Sequence, residues 1–226
     1  MSTRPDDEAI ELLLENVAAE EDARLIFRGE QGGAATGLPQ AWIDMLTKPS
    51  KPADFIERWW APVRDRLPAT IGLLKQKTSC IGLLTTRQNP ASLVYCFGTD
   101  KSLFANRGFM PVRDYAQAVR GRELPVDLGA LYGIHDGWVD FFSSNDGLLP
   151  IGKWHALGSE SGVPPFLEIY LSGSTSLGFD ISSRPVRAHA LLPDEDTVEP
   201  VGDVWAWFDE ALANNLEDLD DPVSEK

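Results

Sequence analysis

Residues 124–138 read Leu124-Pro125-Val126-Asp127-Leu128-Gly129-Ala130-Leu131-Tyr132-Gly133-Ile134-His135-Asp136-Gly137-Trp138, and this run sets the fold class to expect. Leu124, Leu128 and Leu131 share a helical face, and Pro125 suits the first turn of a helix, where its missing N–H leaves no partner unsatisfied. Gly133 weakens that helix, and Asp136-Gly137 makes a turn. A short helix followed by a tight turn opens an α+β unit when strands come next.

Strand patterns do come next. Leu148–Leu157 and Pro165–Leu171 read as strands, and Ser172-Gly173-Ser174 is a hairpin turn into Leu177-Gly178-Phe179-Asp180-Ile181. Val186–Leu192 is a last strand candidate. Asp203 then caps a helix with Trp205, Phe208 and Leu212 on one side. Glu217 to Lys226 is acidic, carries Pro222 and is expected to fray. Helix, turn, antiparallel strands and helix make this half an α+β unit.

Upstream, Asp6-Asp7-Glu8 precede Ile10, Leu13, Leu14 and Val17, a spacing that predicts an amphipathic helix over 6–26 with acids in its first turn, where the dipole favours them. Gly29 to Gly37 reads as a linker, because it lacks the Lys and Ser/Thr of a phosphate-cradling loop. Leu38-Pro39 opens a short helix with Trp42, Ile43 and Leu46. A second runs from Ala53 to about Arg66, with Phe55, Ile56, Trp59, Trp60 and Val63 on one broad apolar face that reads as core. Cys80–Thr85 and Leu93–Phe97 are short β-like runs around Arg87-Gln88-Asn89-Pro90. A third β run is expected at Ser102–Ala105, then a helix near Val112–Arg120 that ends at Gly121. The chain thus divides into a helical and mixed α+β region over 1–118, either an extension, a divergent domain or part of a larger single fold, and an α+β domain over 119–226 with an acidic tail.

The 226 residues are 43 % hydrophobic and 24 % charged, ordinary globular usage, and seven Trp and ten Phe supply large buried areas. No run of ~18 apolar residues could cross a membrane. The N-terminus has no apolar segment behind a basic start, so the chain reads as neither secreted nor anchored, with a cytoplasmic location expected. Cys80 and Cys96 flank the hairpin and read as two small buried thiols that are near neighbours, not a bridge.

The net charge of −15 is very unevenly placed. Residues 1–122 hold 16 Lys+Arg and 15 Asp+Glu, whereas residues 123–226 hold 4 and 20, a net of −16. An anion of this size is repelled by nucleic acid and by anionic membranes, and a basic partner is its natural complement. Such clustering either solubilises the surface or forms a pre-charged docking face that steers a basic protein in.

Catalytic signatures are lacking. His135, His155 and His189 form no close pair with another ligand at zinc spacing, and the latter two lie in strand-like runs. Gly158-Ser159-Glu160-Ser161-Gly162 has the wrong spacing for a nucleophile elbow and precedes a Pro-Pro pair, so it reads as a loop. Abundant carboxylates in so acidic a chain say little about glycosidase-type chemistry. The chain is read as a non-enzyme that needs no cofactor and no metal.

The run Leu124-Pro125-x-Asp127-Leu128-x-x-Leu131-Tyr132-x-Ile134-His135-Asp136-Gly137-Trp138 resembles the opening of the SUKH superfamily, rich in bacterial immunity proteins. Leu177-Gly178-Phe179-Asp180-Ile181-Ser182 resembles its strand with a small-aromatic-Asp step, and the helix with Trp205, Trp207 and Phe208 its closing helix. The family's usual Asn-Gly or Gly-Gly is Asp136-Gly137 here, and the first ~120 residues have no counterpart. The resemblance implies a SUKH-like antiparallel sheet flanked by helices. It also implies an antidote from a polymorphic toxin system, such as those of type VI secretion, that binds a cognate toxin stoichiometrically. A cytosol-acting nuclease suits the charge, because a nuclease presents a basic cleft to phosphates. A scaffold or regulator on the same fold is the alternative, and an enzyme with a dispersed site stands third.

The partner-binding residues expected on this reading are Asp136, Trp138, Asp140, Asp146, Glu160, Asp194, Glu195, Asp196 and Glu199. Each has a plainer reading beside it. Asp136 is what an Asp-Gly turn demands, Trp138 with Phe141 and Phe142 suits a core, and Asp194-Glu195-Asp196 with Glu199 suits a solvated loop. That last group is nonetheless the densest acidic cluster outside the tail and lies between ordered elements.

Overall fold

The computed structural model describes residues 5–17, 20, 22–30, 37–87, 90–98, 103–119, 124, 127–143, 146–157, 165–173, 175–192 and 197–217. The chain opens with α1 (Asp7–Asn16), capped by Asp6, whose Oδ1 accepts from the Ala9 amide at 2.8 Å. The single helix expected over 6–26 is corrected. It closes at Val17, and Leu25 and Ile26 lie in β1 (Arg24–Ile26), paired opposite Leu84 and Leu83. Two adjacent β-favouring apolar residues gain more from a sheet edge than from one more helical turn.

The expected helices appear as α2 (Gln40–Thr47) and α3 (Pro52–Trp59), the latter shorter than its apolar pattern because Pro62 turns Ala61–Val63 into a 3-10 turn. A further helix, α4 (Pro68–Lys77), was not anticipated, since its Gly72 and alternating Lys and Gln blur the apolar stripe. The strands β2 (Thr78–Thr85) and β3 (Ser92–Phe97) form the expected hairpin, followed by β4 (Phe104–Phe109). Cys80 and Cys96 sit directly opposite each other, buried and free. The predicted helix over 112–120 shrinks to α5 (Tyr115–Ala118).

In the decisive run the helix is shorter than read: α6 (Leu128–Tyr132) starts after Asp127, Leu124 lies outside it and Pro125 lies outside the described residues. The turn follows with Gly137 at φ 92°, whose missing Cβ would lie 2.5 Å from the Pro150 nitrogen. Trp138 opens an unanticipated strand, β5 (Trp138–Asp140). The strand expected over 148–157 is broken into β6 (Gly147–Leu148) and β7 (His155–Leu157) by a 3-10 turn at Ile151–Lys153, which Pro150 introduces. There follow β8 (Phe166–Ser172), β9 (Thr175–Asp180), β10 (Arg187–Leu192), an unanticipated β11 (Thr197–Val201) and α7 (Val204–Glu217). The acidic tail from residue 218, and its expected fraying, lie outside the described residues.

The protein is α+β: seven α-helices and eleven strands in one antiparallel sheet among the described residues. The order is β1-β2-β3-β4-β5-β6-β8-β9-β10-β11, with β7 on the same edge of β8 as β6. The boundary drawn at residue 118 falls inside this sheet, because β4 pairs with β5 across it. One hydrophobic cluster likewise joins Trp42, Phe55 and Trp60 to Tyr95, Trp138, Phe179 and Phe208. The two regions therefore share a sheet and a core. A second cluster lies on the reverse face of β2–β4, where Ile10 and Leu13 of α1 meet Cys80, Val94 and Ala105. No helix among the described residues is long and apolar enough to cross a membrane.

Polar contacts tie the ends together. Asp209 of α7 accepts from the Ala69 and Thr70 amides at 3.1 and 2.8 Å, capping α4 from outside its own segment. At the other end, Lys77 donates to the Leu216 carbonyl at 2.6 Å. The helices α4 and α7 thus run side by side in the same direction.

Candidate functional site

The buried centre holds the one histidine that the sequence run singles out. His135 is 1 % exposed, with Nε2 2.9 Å from the Tyr95 hydroxyl and Nδ1 3.1 Å from the Phe109 carbonyl. The carbonyl accepts only, so Nδ1 carries the proton and the Tyr95 hydroxyl donates to Nε2. Trp60 Nε1 donates in turn to the Tyr95 oxygen at 3.4 Å. Burial pushes the His135 pKa down to about 3 and holds the ring neutral. Trp42, Trp59, Trp60 and Trp138 pack around the imidazole at 5.6–6.3 Å between ring centroids. The imidazole is enclosed and hydrogen-bonded at both nitrogens, although the buried Nε1 atoms of Trp42 and Trp59 find no partner, and the cluster offers no imidazole nitrogen to solvent.

The other two histidines lie in strands as expected, His155 in β7 and His189 in β10. His155 Nε2 is 2.9 Å from the buried carboxylate of Glu168, and the pair faces the reverse side of the sheet. Among the described residues, no cluster of three or more His, Cys, Asp or Glu is placed to hold a metal.

At the surface of the acidic half, a concavity lies between α7 and the β8–β9 hairpin. It is a groove of about 270 Å³, with Tyr170, Ser172 and Thr175 from the sheet facing Trp207, Glu210 and Asn215 from the helix. The cross-strand register explains the sheet side. Ser172 is opposite Thr175 and Tyr170 opposite Leu177, so all four project to the face that α7 covers. Spacing explains the helix side, where Trp207, Glu210, Ala211 and Asn214 recur at three- and four-residue steps. The Trp207 and Tyr170 rings meet edge to face, 5.1 Å between centroids. Asn215 donates to the Tyr170 oxygen at 3.0 Å and its Oδ1 accepts from Ser172 at 3.3 Å, fixing the floor. Burial pushes the Tyr170 phenol up to about 12, and the Asp146 carboxylate adds to that shift.

The anticipated residues separate sharply. Asp146 stands beside this groove and accepts from the Gly173 amide in the β8–β9 turn at 3.1 Å. Asp140 folds the loop beneath it, with Oδ1 accepting from Phe142 and Ser143 at 2.9 and 2.7 Å. Glu199 is exposed on the edge strand β11, at the end of the row Tyr170–Leu177–Ala190–Glu199, on the same face as the groove. Trp138 is corrected: at 3 % exposure it packs on Trp60 and Tyr95, so it belongs to the core. Asp136 turns inward and accepts from the Ile151 amide at 2.8 Å, with its pKa raised by burial, which is turn-fixing work. Glu160, Asp194, Glu195 and Asp196 lie outside the described residues.

The groove residues Trp207 and Glu210 were not singled out from sequence. Trp207 was visible only as one aromatic of an apolar helix, and no periodicity tells which hairpin that helix will cover. Comparison with family models, with curated proteins and with solved structures gave no match.

Proposed function

We propose that the protein is a stoichiometric inhibitor that binds a basic protein toxin through the acidic face of its C-terminal half and works by occupancy, not turnover. One observation carries the reading. From residue 188 to residue 225 the chain has twelve Asp and Glu and no Lys or Arg, and this segment contains the exposed edge β11 and the groove-lining helix α7. Of these acids, Glu199 and Glu210 are exposed, Glu199 on the sheet face that α7 covers and Glu210 on α7 at the concavity. A surface of that kind raises the local potential, speeds encounter with a basic protein and repels nucleic acid.

A nuclease acting in the cytoplasm is the proposed target class, because its phosphate-binding cleft is basic and an acidic protein can occupy it. The SUKH resemblance of residues 119–226 points to the same kind of antidote.

Affinity-tagged protein purified from its native host at low and moderate salt tests this reading. One basic protein recovered in equal amount, whose toxicity on expression is abolished by co-expression of the inhibitor, is the expected result. Clean, folded protein with no such companion would overturn the proposal. Converting Asp194, Glu195 and Asp196 to Lys then asks whether that loop contributes: association slows and loses salt dependence if it does.

A further inference from the structure

The groove between α7 and the β8–β9 hairpin has the chemistry of a receptor for one side chain. Its aromatic wall is the Trp207–Tyr170 pair, and aromatic faces attract a desolvating cation. Glu210 is exposed at the rim and, among the described residues, forms no ion pair, unlike its neighbour Asp209, whose carboxylate is committed to the α4 amides. Asp146 adds a second negative group at the hairpin end. The exposed Asn214 stands one helical turn from Glu210. A cavity of about 270 Å³ holds an extended side chain but no folded element.

Resting on the inhibitor reading above, we infer that this groove seats an arginine from a loop of the basic partner protein. The propyl stem and planar guanidinium lie against Trp207, and the charged end faces Glu210. Arginine fits better than lysine because a flat, weakly hydrated guanidinium both stacks on an indole and donates several hydrogen bonds in one plane. Charge supports the choice, since the groove is lined by no Lys or Arg and carries Glu210 on its helix wall.

The test needs no knowledge of the partner. The ¹⁵N-labelled protein, with seven indole N–H signals and that of Trp207 assigned by Trp207→Phe, is titrated with capped acetyl-Gly-Arg-Gly-amide. Its neutral citrulline counterpart and free arginine serve as comparisons. The Trp207 indole and the Asn215 side-chain amide move saturably with the arginine peptide. The citrulline peptide binds at least threefold more weakly, and the exposed Glu210→Gln variant, which leaves the fold intact, weakens arginine binding about threefold. Free arginine binds less well than the capped peptide, because its own carboxylate meets a negative rim.

Three results overturn the assignment: no saturable shift at these two residues, equal binding of citrulline, or tighter binding of free arginine, which would make the groove an amino-acid site. Failure here, while an equimolar basic protein still co-purifies, moves the interface elsewhere and leaves the inhibitor reading standing. Success here with no co-purifying protein does the reverse.

Discussion

The Tyr95 hydroxyl lies 2.9 Å from His135 Nε2, so a residue in the middle of β3 is hydrogen-bonded to the residue just before the Asp136-Gly137 turn. The contact welds the helix-turn opening of the C-terminal half to the first hairpin of the N-terminal half. The burial around that contact keeps His135 neutral, and that has a consequence for acid stability.

In the unfolded chain a histidine takes up a proton near pH 6.5, whereas in the fold His135 does so only near pH 3. The folded pKa is depressed, so this residue's contribution is complete above about pH 6.5 and is lost as the pH falls from there toward 3. The unfolded state binds the extra proton in that window, and the loss reaches about 2 kcal/mol at pH 5. Urea melts of the wild type and of His135→Gln between pH 7.5 and 5 provide the measurement. The variant is less stable at pH 7.5, and the gap narrows toward pH 5. A constant gap would mean that His135 is not the titrating group.

Gly108 lies under the same imidazole, and a Cβ there would sit 2.6 Å from the His135 ring. Gly108→Ala is expected to cost about 1–3 kcal/mol through overpacking. The double variant with His135→Ala should cost less than the two single losses added together, because the second change removes what the first collides with. Additive losses in a double-mutant cycle would contradict the contact.

On the reverse face, Arg107 is held by Glu20 in a two-pronged pair at 2.6 and 3.2 Å and by Ser92 Oγ at 2.9 Å, with its guanidinium over the Phe109 ring. Both charged side chains are largely buried, at 10 and 19 % exposure. Glu20→Ala leaves the Arg107 cation without its partner and is expected to cost about 3 kcal/mol. Arg107→Met with Glu20→Leu should recover much of that loss, which thermal melts of the three proteins would show.

Asp209→Ala removes an acceptor from two α4 amides at once, and a loss of about 1–2 kcal/mol is expected. Because the carboxylate holds α4 against α7, amide exchange should quicken in both helices. Exchange confined to α7 would show that the cap is not what couples them.

Much of this architecture was legible where the pattern was local. The hairpin 80–97, the Asp-Gly turn, the cap at Asp203 and the apolar side of α7 each depend on residues a few positions apart. What escaped depends on distant partners. The helix α4 has a weak stripe of its own and is stabilised by Asp209, while Leu25 and Ile26 become strand because β2 lies beside them. The acidic bias of the second half was plain in composition. The groove was not, because it exists only where α7 crosses the β8–β9 hairpin.

The strand order has a bearing on how the molecule comes into being. With β7 alone set beside the path, each strand pairs with the next one on it in chain order, so the sheet can be laid down strand by strand as the polypeptide is made. The clasp between Asp209 and the amide of Ala69 is different, because it closes a loop spanning 140 residues and waits for the last helix to emerge. A nascent or truncated chain would therefore carry the strands yet lack the wall that completes the groove. A partner docking there would engage only finished molecules.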